Sequence, residues 1–346
     1  MGKLIVTNTS VLLHDMTIAR GQIVETENGI ISAIRPYQEG EEITLSGNKE
    51  TELLDGSRKL LMPGLCDSHM HTGQQLLKGQ ILDALPMIWT RIMLPFESTL
   101  TPEKMELSAE LAALEMIKSG TTSFVDAGSY FMESAADALY DAYHGKGNLK
   151  VAYSLRSLIS CTEELILKAA GHAKERGALL QAHMNEYPNE INFFLQRFGV
   201  RPIEYLEKLG VLDERFLAAH CILLSENEKD LLKKYEVKTC HCPFSNCGKG
   251  VPDTPALLQR GITVGLGTDG AAHGGLSLWN EMKIFRSVMN VGRGVGISEA
   301  AVMPAAKILR MATQGGYDYL HENGGSIAVG KEADFITISL RQPHLY

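Results

Sequence analysis

The chain has 346 residues, 45% of them hydrophobic and 21% charged, with a formal net charge of -8. That balance belongs to a folded globular protein with a large core, and it excludes a disordered or low-complexity chain. The acidic excess, with no basic stripe interleaved with aromatics, excludes nucleic acid as a partner, and no run of about 18 apolar residues demands a membrane.

The opening "MGKLIVTNTSVLLHD" lacks the cleavage pattern of a secretory leader, so a cytoplasmic protein is expected. Six cysteines are scattered along the chain, three of them in "TCHCPFSNCGKG", and they read as reduced thiols rather than a disulfide framework. Residues 1–61 carry the runs "KLIVTNTSVLL", "GQIVETENGIISAIRP" and "TELLDGSRKLLMPG", with turns at Glu27-Asn28-Gly29 and Asp55-Gly56. They predict a small antiparallel unit.

From Met62 to His321 the pattern changes. Short apolar runs ("LMPGLCDSH", "TTSFVDAG", "LKVAYSL", "ALLQAHMNE", "RFLAAHCI", "VKTCHCP", "TVGLGTDGA") alternate with segments of helical periodicity, the signature of parallel strands joined by helical crossovers. Of the helices, "TPEKMELSAELAALEMIKSG" has Thr101 as cap and Gly120 as terminator, and "SENEKDLLKKY" and "TPALLQRG" read the same way. Residues 322–346 return to strand character in "GSIAVGKEADFITISL" and are expected to pair with the N-terminal strands. The fold class this predicts is α/β: a TIM-type (β/α) barrel with a small β-sandwich formed by both chain ends.

At the C-terminal ends of barrel strands, side chains from several strands share one mouth. His69 and His71, in "DSHMHTGQ", are two residues apart and so lie on one face of a strand. Two polar residues at a strand end would look the same. "QAHMNE", "AAHCI" and "GTDGA" then add His183, His220 and Asp269, each closing an apolar run. Three neutral imidazoles and a carboxylate suit a divalent transition ion such as zinc, with one position left for water, and the chemistry expected is metal-assisted hydrolysis. Glu186, three residues past His183, can move protons without joining the metal; the alternative is a solvated loop acid.

"MPGLCDSHMH", "QAHMNE", "AAHC", "HCPFSN" and "GTDGAA", in this order, resemble the amidohydrolase superfamily. The nearest branch is that of the methylthioadenosine and S-adenosylhomocysteine deaminases, with the triazine and chlorohydrolase enzymes related to it. The resemblance implies a distorted barrel holding one divalent ion, zinc or else iron, on His69, His71, His183 and Asp269. It implies Glu186 as proton shuttle, His220 and Asp269 as partners of a metal-bound hydroxide, and attack of that hydroxide on an amino-bearing ring carbon. Trp89 and Glu97, in "MIWTRIMLPFES", match positions that stack on the substrate and bind ribose hydroxyls in these deaminases. A small heterocyclic substrate and a homodimer are implied too.

The chain departs from that pattern in three places. After "TTSFVDAG" one helix runs almost directly into the next strand, so one β/α unit is expected to be missing, the gap falling after Ala138. A seven-stranded barrel, or other residues filling the gap, are the alternatives to a deletion. Arg156 stands where the deaminases place a substrate-binding His; its rigid donor fork suits a carboxylate, phosphate or carbonyl-rich ring. Relatives continue with further strands beyond "ISLRQPHLY", so the side domain is expected to be incomplete.

Besides a deaminase of a purine-type or related nitrogen heterocycle, two other functions stand open: a triazine-type chlorohydrolase, and a non-catalytic ligand-binding barrel left by the missing unit. Cys240, His241, Cys242 and Cys247 also admit a zinc knuckle, although their spacing is not that of zinc ribbons. The resemblance treats this stretch as a strand and loop in which Ser245 and Asn246 position backbone. His273 is a further mouth candidate, and Asp126 is read as structural.

Overall fold

The computed structural model describes residues 2–41, 51–81, 83, 88–128 and 132–342, with the side chains of 132–136 and 273 outside that description. Its N-terminal part is a mixed sheet built around one strand. β1 (Lys3–Leu12) pairs antiparallel with β2 (Ile18–Glu27), which pairs antiparallel with β3 (Ile30–Pro36). The other edge of β1 takes β4 (Thr51–Asp55) and then β5 (Lys59–Pro63), both parallel to it. The expected antiparallel unit is therefore antiparallel on one side of β1 only. The connection through Gly56 lies against the β1 backbone, where a Cβ would come within 2.6 Å of the Thr7 carbonyl oxygen.

The barrel strands follow: β6 (Leu65–His71), β7 (Thr121–Asp126), β8 (Tyr153–Ser157), β9 (Leu180–Met184), β10 (Phe216–His220), β11 (Lys238–His241), β12 (Val264–Leu266) and β13 (Asp269–Gly270). All their pairings are parallel, and β6 and β10 are buried along their whole length, as strands covered on both faces must be. Helices start and stop on local chemistry. Thr101 caps Pro102–Ser119, Gly120 ends it with φ 84, and Ser225 closes a capping box on Glu226–Lys234.

These strands form a five-stranded sheet, β12-β11-β10-β9-β8, and a three-stranded sheet, β13-β6-β7, which adjoin at two junctions. The last strand is split: β12 pairs with β11, and after Gly267-Thr268 the chain resumes as β13 beside β6. Asp67 locks this junction by accepting from Thr268 N at 3.1 Å and Thr268 Oγ1 at 2.6 Å, while burial pushes its carboxyl up to about 6. On the opposite side, β7 and β8 share no ladder among the described residues. Side chains close that seam instead. The Asp126 carbonyl accepts from Gln181 Nε2 at 3.0 Å, and the Ala127 carbonyl accepts from Ser154 Oγ at 3.1 Å.

β14 (Phe335–Ser339) returns to pair antiparallel with β5, so both chain ends meet in one six-stranded sheet. Val6, Val11, Val24, Ile31, Leu61 and Ile327 form its core. The strands seen make one sheet; a second layer of the expected sandwich is not among the described residues. β5 also runs across the 61/62 boundary expected between the domains. No described helix is long and apolar enough to cross a membrane.

The main core lies between the barrel and its helices, with Phe194, Phe216, Phe285, Leu206 and Leu232 in it. His241, at the end of β11, is also fully buried, and its Nδ1 donates to the His220 carbonyl at 2.8 Å. Burial lowers its pKa to about 4, so it stays neutral in the fold while an unfolded chain protonates it near 6.5. Stability tied to this residue is complete above about pH 6.5 and is lost as pH falls toward 4, by about 3 kcal/mol in all. His241→Gln is expected to flatten the acid limb of a urea-unfolding series run from pH 7 to 4. An unchanged limb would assign the acid sensitivity to other groups.

Candidate metal centre and active site

The side chains at the mouth come from four strand ends. β6 is extended, so His69 and His71 share one face, and their rings sit 5.1 Å apart between centroids. β9 brings His183 Nε2 to 3.1 Å from His71 Nε2. β13 brings Asp269 Oδ1 to 3.3 Å from His71 Nε2 and 3.6 Å from His69 Nε2. One ligand atom from each of these four residues lies within 4.8 Å of every other.

These spacings fit donors around one ion. Ligand distances of about 2.0–2.1 Å bring neighbouring donor atoms to about 3 Å from one another, and water would be the fifth ligand. The hydrogen bonds say the same. His71 Nδ1 faces the Gly128 carbonyl at 3.2 Å, and His183 Nδ1 faces the Arg156 carbonyl at 2.5 Å. Each Nδ1 therefore carries the proton, and the two Nε2 lone pairs point at each other, an arrangement that repels until a cation lies between them. His69 is fully buried with neither ring nitrogen hydrogen-bonded.

Backbone strain marks the same place. Arg156 (φ 51), Asn185 (φ 50), His220 (φ 69), Cys221 (φ 48) and Asp269 (φ 58) all adopt the left-handed region at strand ends. Each costs on the order of 1–3 kcal/mol, and at Arg156 it turns the carbonyl onto His183 Nδ1.

Asp269 Oδ2 accepts from Ser245 Oγ at 2.6 Å. Burial raises its pKa, but the His69 and His71 rings beside it, then His220 and the Lys249 ammonium, hold the carboxyl well below the usual carboxylate range. Glu186 Oε1 is ion-paired with Lys249 and lies 3.6 Å from His220 Nε2. Lys249 also donates to Ser245 Oγ at 2.7 Å, and its ammonium lies 5.1 Å from the Tyr187 ring centroid. Burial would discharge it, yet the charges of Glu186 and Asp269 raise its pKa above the ordinary lysine value.

Burial, against the pull of the Asp269 carboxylate, keeps His220 well below the ordinary imidazole range, and it stays neutral. Its Nδ1 is 3.1 Å from the Asn246 amide. With that amide turned to bond the Cys242 backbone as well, Asn246 donates to Nδ1 and the His220 proton sits on Nε2, on the Glu186 side. Ser245 and Asn246 thus hold the side chains of Asp269 and His220, where sequence suggested backbone positioning.

The expected substrate contacts fall differently. Trp89 is half-buried at the start of the helical turn Trp89–Met93, against a cluster of Leu77, Ile81, Met93 and Ala272. Glu97 and Arg156 are both buried and hold each other in a two-pronged pair, each contact 2.9 Å. Asp126 is structural, bonding Thr72 Oγ1 and, at 3.0 Å, Gly128 N. The His273 side chain lies outside the described residues. Cys240 and Cys242 are buried free thiols and Cys247 is exposed; none joins a metal-binding group among the described residues. Lys249 was missed from sequence, where its only signal is "SNCGKG" following the sixth apolar run.

Gly267 is where β12 passes the ligand strand. A Cβ there would lie 2.5 Å from the His69 carbonyl oxygen and 2.9 Å from the His69 nitrogen, and backbone cannot yield. Gly267→Ala is expected to lower zinc affinity at least tenfold and to reduce thermal stability. Unchanged zinc affinity in a chelator titration would show that β6 can move without disturbing His69.

Comparison with known proteins gives the same picture. The amidohydrolase family model matches residues 60–146 and 141–345. A 5'-deoxyadenosine deaminase of Methanothermobacter thermautotrophicus is 32% identical across 95% of this chain and 83% of its own. A 5-methylthioadenosine/S-adenosylhomocysteine deaminase of Nitratidesulfovibrio vulgaris is 31% identical across 95% of this chain and 81% of its own. Of solved structures, an adenosine deaminase from Xanthomonas campestris with bound zinc superposes at a TM-score of 0.89, covering 99% of this chain and 86% of that one at 23% identity. A guanine deaminase from C. acetobutylicum, solved with guanine in its active site, gives 0.87, covering 99% and 93% at 20% identity. With the family model spanning both the ligand strands and the split closing strand, the chain belongs to the amidohydrolase family.

Proposed function

We propose that the protein is a metal-dependent hydrolytic deaminase of an aminated purine-type heterocycle, converting a ring C–NH2 and water into a ring carbonyl and ammonia. The observation that carries this is the facing pair of Nε2 lone pairs on His71 and His183, 3.1 Å apart, with Asp269 closing the third corner. A divalent ion held by His69, His71, His183 and Asp269 supplies Lewis acidity and makes water nucleophilic at neutral pH. Zinc is the inferred ion, by analogy with the Xanthomonas enzyme, and iron is the alternative.

The chain's own groups supply the proton transfers. Glu186, fixed by Lys249, takes the proton of the attacking water and delivers it to the ring nitrogen beside the reacting carbon. His220 Nε2 donates to the oxygen as charge builds there, and Asn246 holds the ring for that donation. Asp269, oriented by Ser245, takes the hydroxyl proton of the reacting carbon as the carbonyl forms and passes it to the amino group, which leaves as ammonia. Trp89 borders the mouth through Ala272 and offers the heterocycle an aromatic face. Glu97 and Arg156, engaged with each other, take no substrate contact in this mechanism.

The reading includes the loss of one β/α unit relative to the family. Two facts support it: the family match falls into two pieces that meet at 141–146, and the alignment with the Methanothermobacter enzyme spans 372 residues, longer than the chain. Both agree with the seam between β7 and β8.

The test is ammonia release from zinc-loaded protein offered 5'-deoxyadenosine, 5-methylthioadenosine, S-adenosylhomocysteine, guanine and aminated or chlorinated triazines. Turnover of one purine class confirms the proposal. Chloride release alone would favour the chlorohydrolase, and metal retention without turnover of any substrate would favour a binding barrel.

A further inference from the structure

The seam beside the metal centre is closed by side chains, and one of them reaches further than the rest. Past the ends of β7, three successive carbonyls are taken by side chains: Asp126 by Gln181, Ala127 by Ser154 and, at 3.3 Å, Gly128 by Arg156 Nη1. The Gly128 carbonyl is the same one that faces His71 Nδ1, at 3.2 Å. A carbonyl oxygen has two lone pairs, and here one holds the guanidinium and the other the imidazole.

The main chain of Arg156 serves the second imidazole. Its left-handed φ of 51 turns its carbonyl onto His183 Nδ1 at 2.5 Å. Thus a single residue governs the ring orientation of both His71 and His183. Its guanidinium cannot swing away, because Glu97 grips Nη1 and Nη2 at 2.9 Å each, and Gln74, three residues past His71, fixes Glu97 Oε1 at 2.9 Å.

Charge accounting points the same way. An unpaired arginine this close would repel a divalent ion, and the Glu97 carboxylate cancels it. A buried ion pair of this kind adds little net stability over an apolar pair of similar volume, so holding geometry is the better account of it.

We propose that Arg156 is a positioning residue for the metal centre: by stitching the seam at Gly128 and presenting its own carbonyl, it fixes the two facing imidazoles in the tautomer and orientation that bind an ion. The inference rests on His69, His71, His183 and Asp269 being the ligands.

The test compares wild type with Arg156→Lys and with the doubly neutral Arg156→Met/Glu97→Met, which leaves no lone buried charge. Zinc affinity is read by competition with a chromophoric chelator, and melting temperature is read on chelated protein. The double variant is expected to fold and to bind zinc about 10–100-fold more weakly, the usual loss when an outer partner of a ligand is removed. Arg156→Lys, which keeps charge without the fork, falls between. Gln181→Met, which removes the stitch at the Asp126 carbonyl and bonds neither Arg156 nor an imidazole, is expected to change melting temperature alone. The cobalt-loaded variants should also show an altered visible spectrum, a readout that a merely stabilising role would not move. Wild-type zinc affinity in the folded double variant overturns the inference. Failure of wild type to bind zinc sinks the ligand assignment first, and the inference with it.

Discussion

Asp269→Asn is expected to lower kcat for ammonia release by about 10^4-fold or more, the largest effect of any single substitution in the mouth. One oxygen of Asp269 lies 3.3 Å from His71 Nε2 and 3.6 Å from His69 Nε2, and the other accepts from Ser245 at 2.6 Å. An amide keeps the shape but carries no charge for the ion and no basic oxygen for the departing ammonia. The substitution therefore removes a ligand and a proton carrier together. Glu186→Gln separates the two roles, since Glu186 stands beside Lys249 rather than in the four-residue cluster. It is expected to cost about 10²–10⁴-fold in kcat with zinc content unchanged. Comparable zinc content and kcat in wild type and Asp269→Asn would remove the basis of the mechanism.

Chelation is expected to have the second largest effect. Stripping the ion should abolish turnover, and restoring zinc should recover it. Binding to the folded state alone stabilises by about 4 kcal/mol when free metal exceeds its dissociation constant about 1,000-fold. For a chain of this length that corresponds to roughly 5–10 °C in melting temperature. Both forms should lose stability in acid, the loaded form more steeply, because holding the ion keeps its imidazoles unprotonated. Burial and the neighbouring imidazoles hold His183 well below its ordinary value, and burial does the same for His220. Below about pH 6.5 the unfolded chain gains protons that these folded groups refuse, so stability present above that pH is lost as pH falls toward their folded values. Scanning calorimetry from pH 8 to 5, with and without zinc, measures both effects. Identical melting curves with and without zinc would show that the cluster binds no ion.

The candidate ligand cluster was legible because parallel strands with buried faces read as apolar runs, and a His or Asp that closes such a run has only the mouth to face. His69, His71, His183 and Asp269 are of this kind, and the structure brings all four together. What stayed hidden depended on pairing across space. Glu97 and Arg156 are 59 residues apart, and each alone reads as a free charge suited to a substrate. Lys249 sits in a loop whose sequence gives no sign that it turns back to Glu186. The parallel alignment of β4 and β5 on β1 was equally invisible, because alternation reports which face a side chain takes and not which way its neighbour runs.

Among the described residues, β7 and β8 each pair on one side only, and side chains bridge the seam between them. The loop from His144 to Lys150 leads to it from the surface, and backbone on either flank has hydrogen-bonding capacity that side chains now satisfy. Amides of Thr121–Asp126 and Tyr153–Ser157 should accordingly exchange with solvent sooner than those of β9 and β10, which are paired on both sides.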